Sequence, residues 1–182
     1  MKNLSKKGFT LVELLVVISI IALLSTIAIV SLGSARAKAR DTARIADMKQ
    51  VSTALEQFYA DQGGYPIEPA VMGTTTYEIG QTADKALCNL NGTPGGLSWS
   101  TLSACGTNTV YMGNIPAAPT PPAKVACNAL TPVANFCYGS KEAWSAATTF
   151  ASSYSLVWLL EASNTNLGGS ACTTTPNGVT CS

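Results

Sequence analysis

The sequence lacks histidine altogether and has few charged side chains. Only 12% of its 182 residues are Asp, Glu, Lys or Arg. Without histidine, neither a Ser–His–Asp set nor a Cys–His set can form. The acidic residues of the second half are scattered without the spacing of a carboxylate dyad, and no glycine-rich phosphate loop is present. The composition therefore predicts that the protein is not an enzyme and needs no cofactor.

The chain also lacks the basic excess that favours nucleic-acid binding. Its formal net charge is +1, and Lys2, Lys6 and Lys7 supply three of the eleven basic side chains. Without these three, eight basic side chains stand against ten acidic ones. No nucleic-acid partner is evident. The length leaves room for one apolar span and one small domain.

No charged side chain and no proline interrupts residues 14–32. This apolar run would form a helix about 29 Å long, which matches the hydrocarbon core of a bilayer. The three lysines before it have no acidic neighbour, so they are expected to stay in the cytoplasm and to leave the C-terminus outside. The run therefore predicts one membrane span in contact with lipid.

One acidic residue, Glu13, borders the apolar run. A carboxylate deep in hydrocarbon is unfavourable by about 2.5 kcal/mol or more, so it usually marks a partner or a function. The alternative is that Glu13 lies at the membrane interface of an ordinary signal anchor. The residues alone leave both interpretations open.

The segment Lys6-Lys7-Gly8-Phe9-Thr10-Leu11-Val12-Glu13, followed by the apolar run, resembles the N-terminal segment of type IV pilins and type II secretion pseudopilins. The resemblance implies that a prepilin peptidase cuts after Gly8 and that the new N-terminal residue, Phe9, is N-methylated. It also implies that Glu13 pairs with the amine of a neighbouring subunit, since the attraction is strong in a low dielectric. Many family members carry a proline in the apolar helix, which this sequence lacks.

Cysteine is confined to the part of the chain after the apolar run. An even number of cysteines in an exported domain indicates disulfides, and six cysteines allow fifteen pairings. Zinc binding is disfavoured because histidine and Cys-x-x-Cys pairs are absent. Pairing between sequence neighbours is favoured, because each pair then closes a short loop rich in turn residues. The pairs are Cys88–Cys105, Cys127–Cys137 and Cys172–Cys181.

Residues 34–62 favour helix by composition and carry an apolar stripe at helical spacing. The stripe consists of Ile45, Met48, Val51, Leu55 and Phe58. A row of charges with alternating sign at spacings of three predicts a ridge on the solvent side. It consists of Lys38, Asp41, Arg44 and Asp47. Gly63-Gly64-Tyr65-Pro66 is expected to end the helix. Gly33 is either a weak point or a site of close helix packing.

Strands are expected in the last third of the chain, with mostly loop in residues 67–135. The predicted strands cover residues 109–112, 135–138, 153–161 and 170–174, with a short helical turn at residues 82–87 and a turn at residues 164–169. An antiparallel sheet would bury Phe136, Leu156 and Trp158, or the residues that alternate with them, against the helix stripe. Trp99 and Trp144 are expected in the core, and the glycosylation sequon at Asn91 is attributed to chance.

These observations predict an α+β fold, in which a long N-terminal helix packs on a small antiparallel sheet with disulfide-closed loops. The predicted organisation is a basic leader at residues 1–8 that is removed, a transmembrane and assembly helix at 9–33, an amphipathic helix half at 34–63, and an extracytoplasmic β domain at 64–182. The calcium site of some pseudopilins is not expected, because few acids occur near the sheet.

The resemblance implies a structural subunit of a type IV pilus-like filament. Its expected partners are itself and related pilins, the prepilin peptidase and methylase, and an assembly platform in the bacterial inner membrane. Before assembly the chain is expected in that membrane as a single-pass protein, and afterwards in a filament in the periplasm or at the cell surface. The alternatives are a type II secretion pseudopilin and a monomeric membrane-anchored binding protein.

Overall fold

The structure is a computed structural model that describes residues 8–67, 77–80, 86–89, 99–120, 127, 136–140, 150–164 and 169–182. The chain forms two compact units, Met1–Ala39 and Arg40–Ser182. The long N-terminal helix, α1, runs from Leu11 to Gln62 and contributes to both units. The helix predicted from Phe9 to about Gln62 is therefore confirmed, with a start two residues later.

The end of α1 is set by two successive glycines. Gly63 adopts a positive φ of 77° and donates its backbone N–H to Tyr59 O at 2.8 Å, which is the left-handed turn that glycine permits. Gly64 has no room for a side chain, because a Cβ there would lie 2.4 Å from the Phe150 Cβ. The close approach of residue 150 therefore requires glycine at this exit.

Tyr65 fixes the chain that leaves α1. It pairs with Ala151 through two backbone hydrogen bonds of 2.8 and 2.9 Å. Its hydroxyl donates to the carboxylate of Glu56 on the last turns of α1, at 3.0 Å. Burial, with the neighbouring Glu56 charge, raises the pKa of Tyr65 far above its usual range. Tyr65 thus stays a neutral donor that ties the exit to the helix.

Eight strands and a short second helix follow in the described part of the chain. The main sheet is antiparallel, with the strand order β1-β5-β6-β7-β8, and a smaller sheet has the order β3-β2-β4. The elements are β1 (Tyr77–Ile79), β2 (Ala86–Cys88), β3 (Trp99–Ser100), α2 (Leu102–Cys105), β4 (Val110–Met112), β5 (Phe136–Ser140), β6 (Tyr154–Asn164), β7 (Gly169–Thr175) and β8 (Gly178–Cys181). The predicted α+β fold is confirmed.

The core of the second unit joins the α1 stripe to the sheet. Met48, Val51, Leu55 and Phe58 are fully or almost fully buried, and Ile45 packs at the edge of the same cluster. The three sheet residues predicted to cover the stripe, Phe136, Leu156 and Trp158, are buried in this cluster. Trp99 is buried there too, as expected. The helical periodicity therefore identifies the buried face of α1, and of the two faces that the strand pattern left open, the structure buries the one with Phe136, Leu156 and Trp158.

The prediction that a ridge of charged residues lies on the solvent side of α1 is wrong for two residues, Asp41 and Arg44. Asp41 and Arg44 are buried, with 7% and 0% of their surfaces exposed. Arg44 donates to Asp41 Oδ1 at 2.9 Å and to the Pro119 carbonyl at 2.6 Å. The same Oδ1 accepts the Glu161 backbone N–H at 2.7 Å. These partners lie 75 and 120 residues from the helix residues that bind them, so helical spacing does not reveal them.

Beside this buried pair, Arg40 forms a two-point contact with the carboxylate of Glu161. Nε donates to Oε2 at 2.7 Å and Nη2 to Oε1 at 2.6 Å. The hydrogen bonds from Arg40 hold the pKa of Glu161 below its usual value, and they raise the pKa of Arg40. Arg40, Asp41, Arg44, Glu161 and the Pro119 carbonyl are called the Asp41 network below. This network attaches α1 to the C-terminal half of β6, where Glu161 lies.

The middle of the chain differs most from expectation. The helical turn predicted at residues 82–87 is wrong at Ala86 and Leu87, which belong to β2: this strand pairs with β3 and β4, and both side chains are buried. The short elements β1, β3 and α2 were expected to be loop, and β8 was not predicted. Three other predictions lie outside the described residues: the burial of Trp144, the Asn91 sequon and the turn after Asn164.

Candidate functional site

The N-terminal residues singled out by the sequence lie at the start of α1. Gly8 and Phe9 precede the helix and are exposed, and Glu13 lies in its first turn. The Glu13 Oε2 accepts two hydrogen bonds of 2.8 Å, from the backbone N–H and from the hydroxyl of Thr10. In return, the Glu13 backbone N–H donates to Thr10 Oγ1 at 3.3 Å. The acid is therefore held by its own chain.

This reciprocal arrangement is a capping box, in which a Thr or Ser caps the helix and a Glu three residues later binds the capping residue. The sequence signal is Thr10-x-x-Glu13, and the sequence reasoning above missed it. The box satisfies backbone donors that the first helical turn leaves without partners. It also keeps a carboxylate near the positive end of the helix dipole. Glu13 thus has a local structural role in the single chain, whatever it does in an assembly.

The helical residues after Glu13 present an apolar surface. The large apolar side chains described between Phe9 and Leu32 are 49% to 89% exposed within the chain. The hydroxyl groups in this part of α1 turn back to the helix: Ser19 Oγ donates to Leu15 O at 2.8 Å, and Thr26 Oγ1 donates to Leu23 O at 2.7 Å. Because these polar groups are satisfied within the helix, they lower the cost of placing it in hydrocarbon. By length and composition, α1 is able to cross a membrane.

The cysteines of the second unit are joined in three disulfides. The bonds are Cys88–Cys105, Cys127–Cys137 and Cys172–Cys181. These are the pairs that short loop closure favours. The first joins β2 to α2, the second joins residue 127 to β5, and the third links directly opposed residues of β7 and β8. The bonds close short segments, with sequence separations of 17, 10 and 9 residues.

The described residues offer no set of ligands for a metal ion. Across these ranges, no group of three or more His, Cys, Asp or Glu side chains lies close enough together to hold one. The carboxylates that do lie near other polar groups are engaged with them: Asp41 by Arg44 and Glu161 by Arg40.

Known proteins share the N-terminal segment of this chain. The family model of the prokaryotic N-terminal methylation motif matches residues 3–29. The type IV wide pilus major component PilA4 of Thermus thermophilus is 32% identical over 102 residues, which cover 51% of this chain and 78% of that relative. The chain belongs to the type IV pilin family.

Membership of the type IV pilin family confirms the resemblance carried by Lys6 to Glu13, and it makes the chain a structural subunit rather than an enzyme. The methylation motif ends within the apolar part of α1. No solved structure matches this pilin.

Proposed function

We propose that this pilin is the subunit of a surface type IV pilus. The leader, residues 1–8, is removed by a prepilin peptidase, and Phe9 becomes the N-methylated first residue. The helix of residues 9–33 holds the subunit in the inner membrane, with the C-terminus outside, until the assembly platform transfers it to the filament. The observation that carries the proposal is the methylation motif followed by an exposed apolar helix.

Exposed apolar side chains on this helix support storage in lipid followed by assembly. In the membrane they contact acyl chains, and in the filament they contact the same helices of other subunits, itself or related pilins. The carboxylate of Glu13 then exchanges its hydrogen bonds from Thr10 for the amine of Phe9 on a neighbouring subunit. An ion pair in such an apolar setting is much stronger than in water. The capping box keeps the acid satisfied before the exchange.

Two substitutions at Glu13 separate its capping role from its charge. Glu13→Gln keeps an oxygen that accepts from the Thr10 N–H but removes the charge, whereas Glu13→Ala removes both. We expect both variants to reach the inner membrane, and both to give far fewer sheared filaments than the wild type. Normal filament yield from Glu13→Gln would show that the charge of Glu13 is not used in assembly.

The native N-terminus tests the processing step independently. Mass spectrometry of purified filaments is expected to find N-methyl-phenylalanine at Phe9. A chain that retains residues 1–8 in mature material would instead support a monomeric membrane-anchored binding protein.

A pilus is preferred to a type II secretion pseudopilus because the relative from Thermus thermophilus is a major pilus component. The pseudopilin alternative is kept because the sequences Gly63-Gly64-Tyr65-Pro66 and Tyr154 to Glu161 resemble the helix exit and the final hairpin of pseudopilins. A deletion strain separates the two. Loss of surface filaments and twitching with normal protein secretion supports the pilus, and the reverse result supports the pseudopilus.

A further inference from the structure

Two opposite charges on α1, Asp47 and Lys49, have no partner in the part of the chain that the structure describes. Among the described residues, neither the carboxylate of Asp47 nor the ammonium of Lys49 has a hydrogen bond or an ion pair. Asp47 is half-buried and Lys49 is exposed. The other described acids of α1 have polar neighbours: Thr10 for Glu13, Arg44 for Asp41, Tyr65 for Glu56 and Tyr111 for Asp61. Asp47 is the exception on this helix.

Asp47 and Lys49 cannot pair with each other. Residues two apart on a helix point about 200° away from each other and do not meet. They border the two sides of the helix face that points away from the core. That face is uncharged and exposed, and it consists of Ala43, Ala46, Gln50 and Thr53. The Thr53 hydroxyl donates back to Lys49 O at 2.9 Å, so it needs no partner on this surface. A second helix can therefore approach closely.

We propose that the two edges of this face bind different copies of the same chain, so that the Lys49 edge of one copy pairs with the Asp47 edge of the next. The argument is charge complementarity, because each copy carries one unpaired acid and one unpaired base on opposite sides of the same uncharged face. An interface that joins two different surfaces of the same molecule leaves both surfaces available at the ends and grows into an open polymer. The inference rests on the proposed function.

The position of the two residues fits a parallel neighbour. Measured along the helix axis, Asp47 and Lys49 are only about 3 Å apart, since each residue rises about 1.5 Å. Lys49 therefore reaches Asp47 of a parallel copy without a large axial displacement. Partial burial of Asp47 also raises its pKa, because the carboxylate is desolvated without compensation. A lysine from a neighbour would supply that compensation.

Charge reversal tests the pair, because it predicts rescue in trans. Asp47→Lys and Lys49→Asp each place like charges at every contact between copies. We expect each variant alone to lower the filament fraction, measured by sedimentation after shearing, about tenfold. Co-expression of the two variants lets them alternate, with an opposite charge at each contact, and is expected to restore filaments. The double variant in one chain should restore them as well.

Arg36→Asp is the control, since Arg36 is an exposed base of the same helix outside the proposed pair. It is expected to leave filament yield unchanged. Thermal unfolding and disulfide mapping of the single variants check that the second unit is intact.

Each outcome has one meaning. Wild-type yield from both single variants would overturn the pairing and leave the proposed function untouched. Loss in both without rescue by co-expression would show that Asp47 and Lys49 act within their own chain, which also overturns it. Absence of filaments from the wild-type protein, with its processing and assembly machinery present, would instead refute the proposed function.

Discussion

Asp41→Ala is expected to destabilise the second unit more than any exposed substitution on α1. The change removes the carboxylate that accepts from Arg44 at 2.9 Å and from the Glu161 backbone N–H at 2.7 Å. Removal of one member of a buried ion pair costs about 3–5 kcal/mol, because the remaining charge stays buried. For a unit of this size, that corresponds to a fall in Tm of roughly 10–20 °C. Circular dichroism of the full chain in detergent, under non-reducing conditions, measures it.

Two further variants separate the contributions to this loss. Asp41→Asn keeps an oxygen for the Glu161 N–H and is expected to cost less than Asp41→Ala. Asp41→Ala with Arg44→Met removes both charges and is expected to cost less than the two single losses added together. Gln57→Ala, which is exposed on the same helix, should stay within about 0.5 kcal/mol of the wild type. An equally small effect of Asp41→Ala would refute the structural role of the Asp41 network.

Two further predictions concern backbone space and pH. Gly64→Ala should lower the free energy of unfolding by about 1–3 kcal/mol, because the new Cβ overpacks against Phe150. Gly33→Ala should be neutral or stabilising, because a Cβ there meets nothing within 4 Å. Equal Tm values for the two variants would contradict the packing at the helix exit. The hydrogen bonds from Arg40 lower the pKa of Glu161 in the folded state. The wild type should therefore be more stable than Glu161→Gln at pH values above the ordinary glutamate pKa of 4.5. This difference in the free energy of unfolding should disappear as the pH falls through the lowered pKa. Unfolding of both proteins across that pH range measures the difference, and a difference independent of pH would contradict it.

Periodic features were predictable from the sequence because they repeat within short windows. The stripe from Ile45 to Phe58 identified the buried face of α1, and alternation around Leu156 and Trp158 identified β6. The pairing of each cysteine with its sequence neighbour followed from loop closure. These features depend on residues close together in the chain, so local spacing was enough to find them.

The features that were missed depend on distant partners or on short signals. Burial of Arg44 depends on the Pro119 carbonyl, and burial of Asp41 depends on the Glu161 backbone. The strands β1, β2 and β3 have only two or three residues each, too few for a period to show. Two misses did have a local signal. Thr10-x-x-Glu13 is the pattern of a capping box, and Pro176-Asn177-Gly178 is a turn signal, with the turn at Pro176 and Asn177 between the paired residues Thr175 and Gly178.

All three disulfides lie outside α1, and none joins cysteines more than 17 positions apart. Oxidation therefore requires no covalent crossing between the helix and the sheet, and each disulfide closes within a single short segment of the chain. The same arrangement leaves α1 held to the sheet by noncovalent contacts and by the chain that leaves the helix at Gly63, without a disulfide. A pulling force on α1 is resisted by the packing of the apolar stripe and by the hydrogen bonds of Arg40 and Asp41 to Glu161 in β6. No disulfide between the helix and the sheet adds to this resistance.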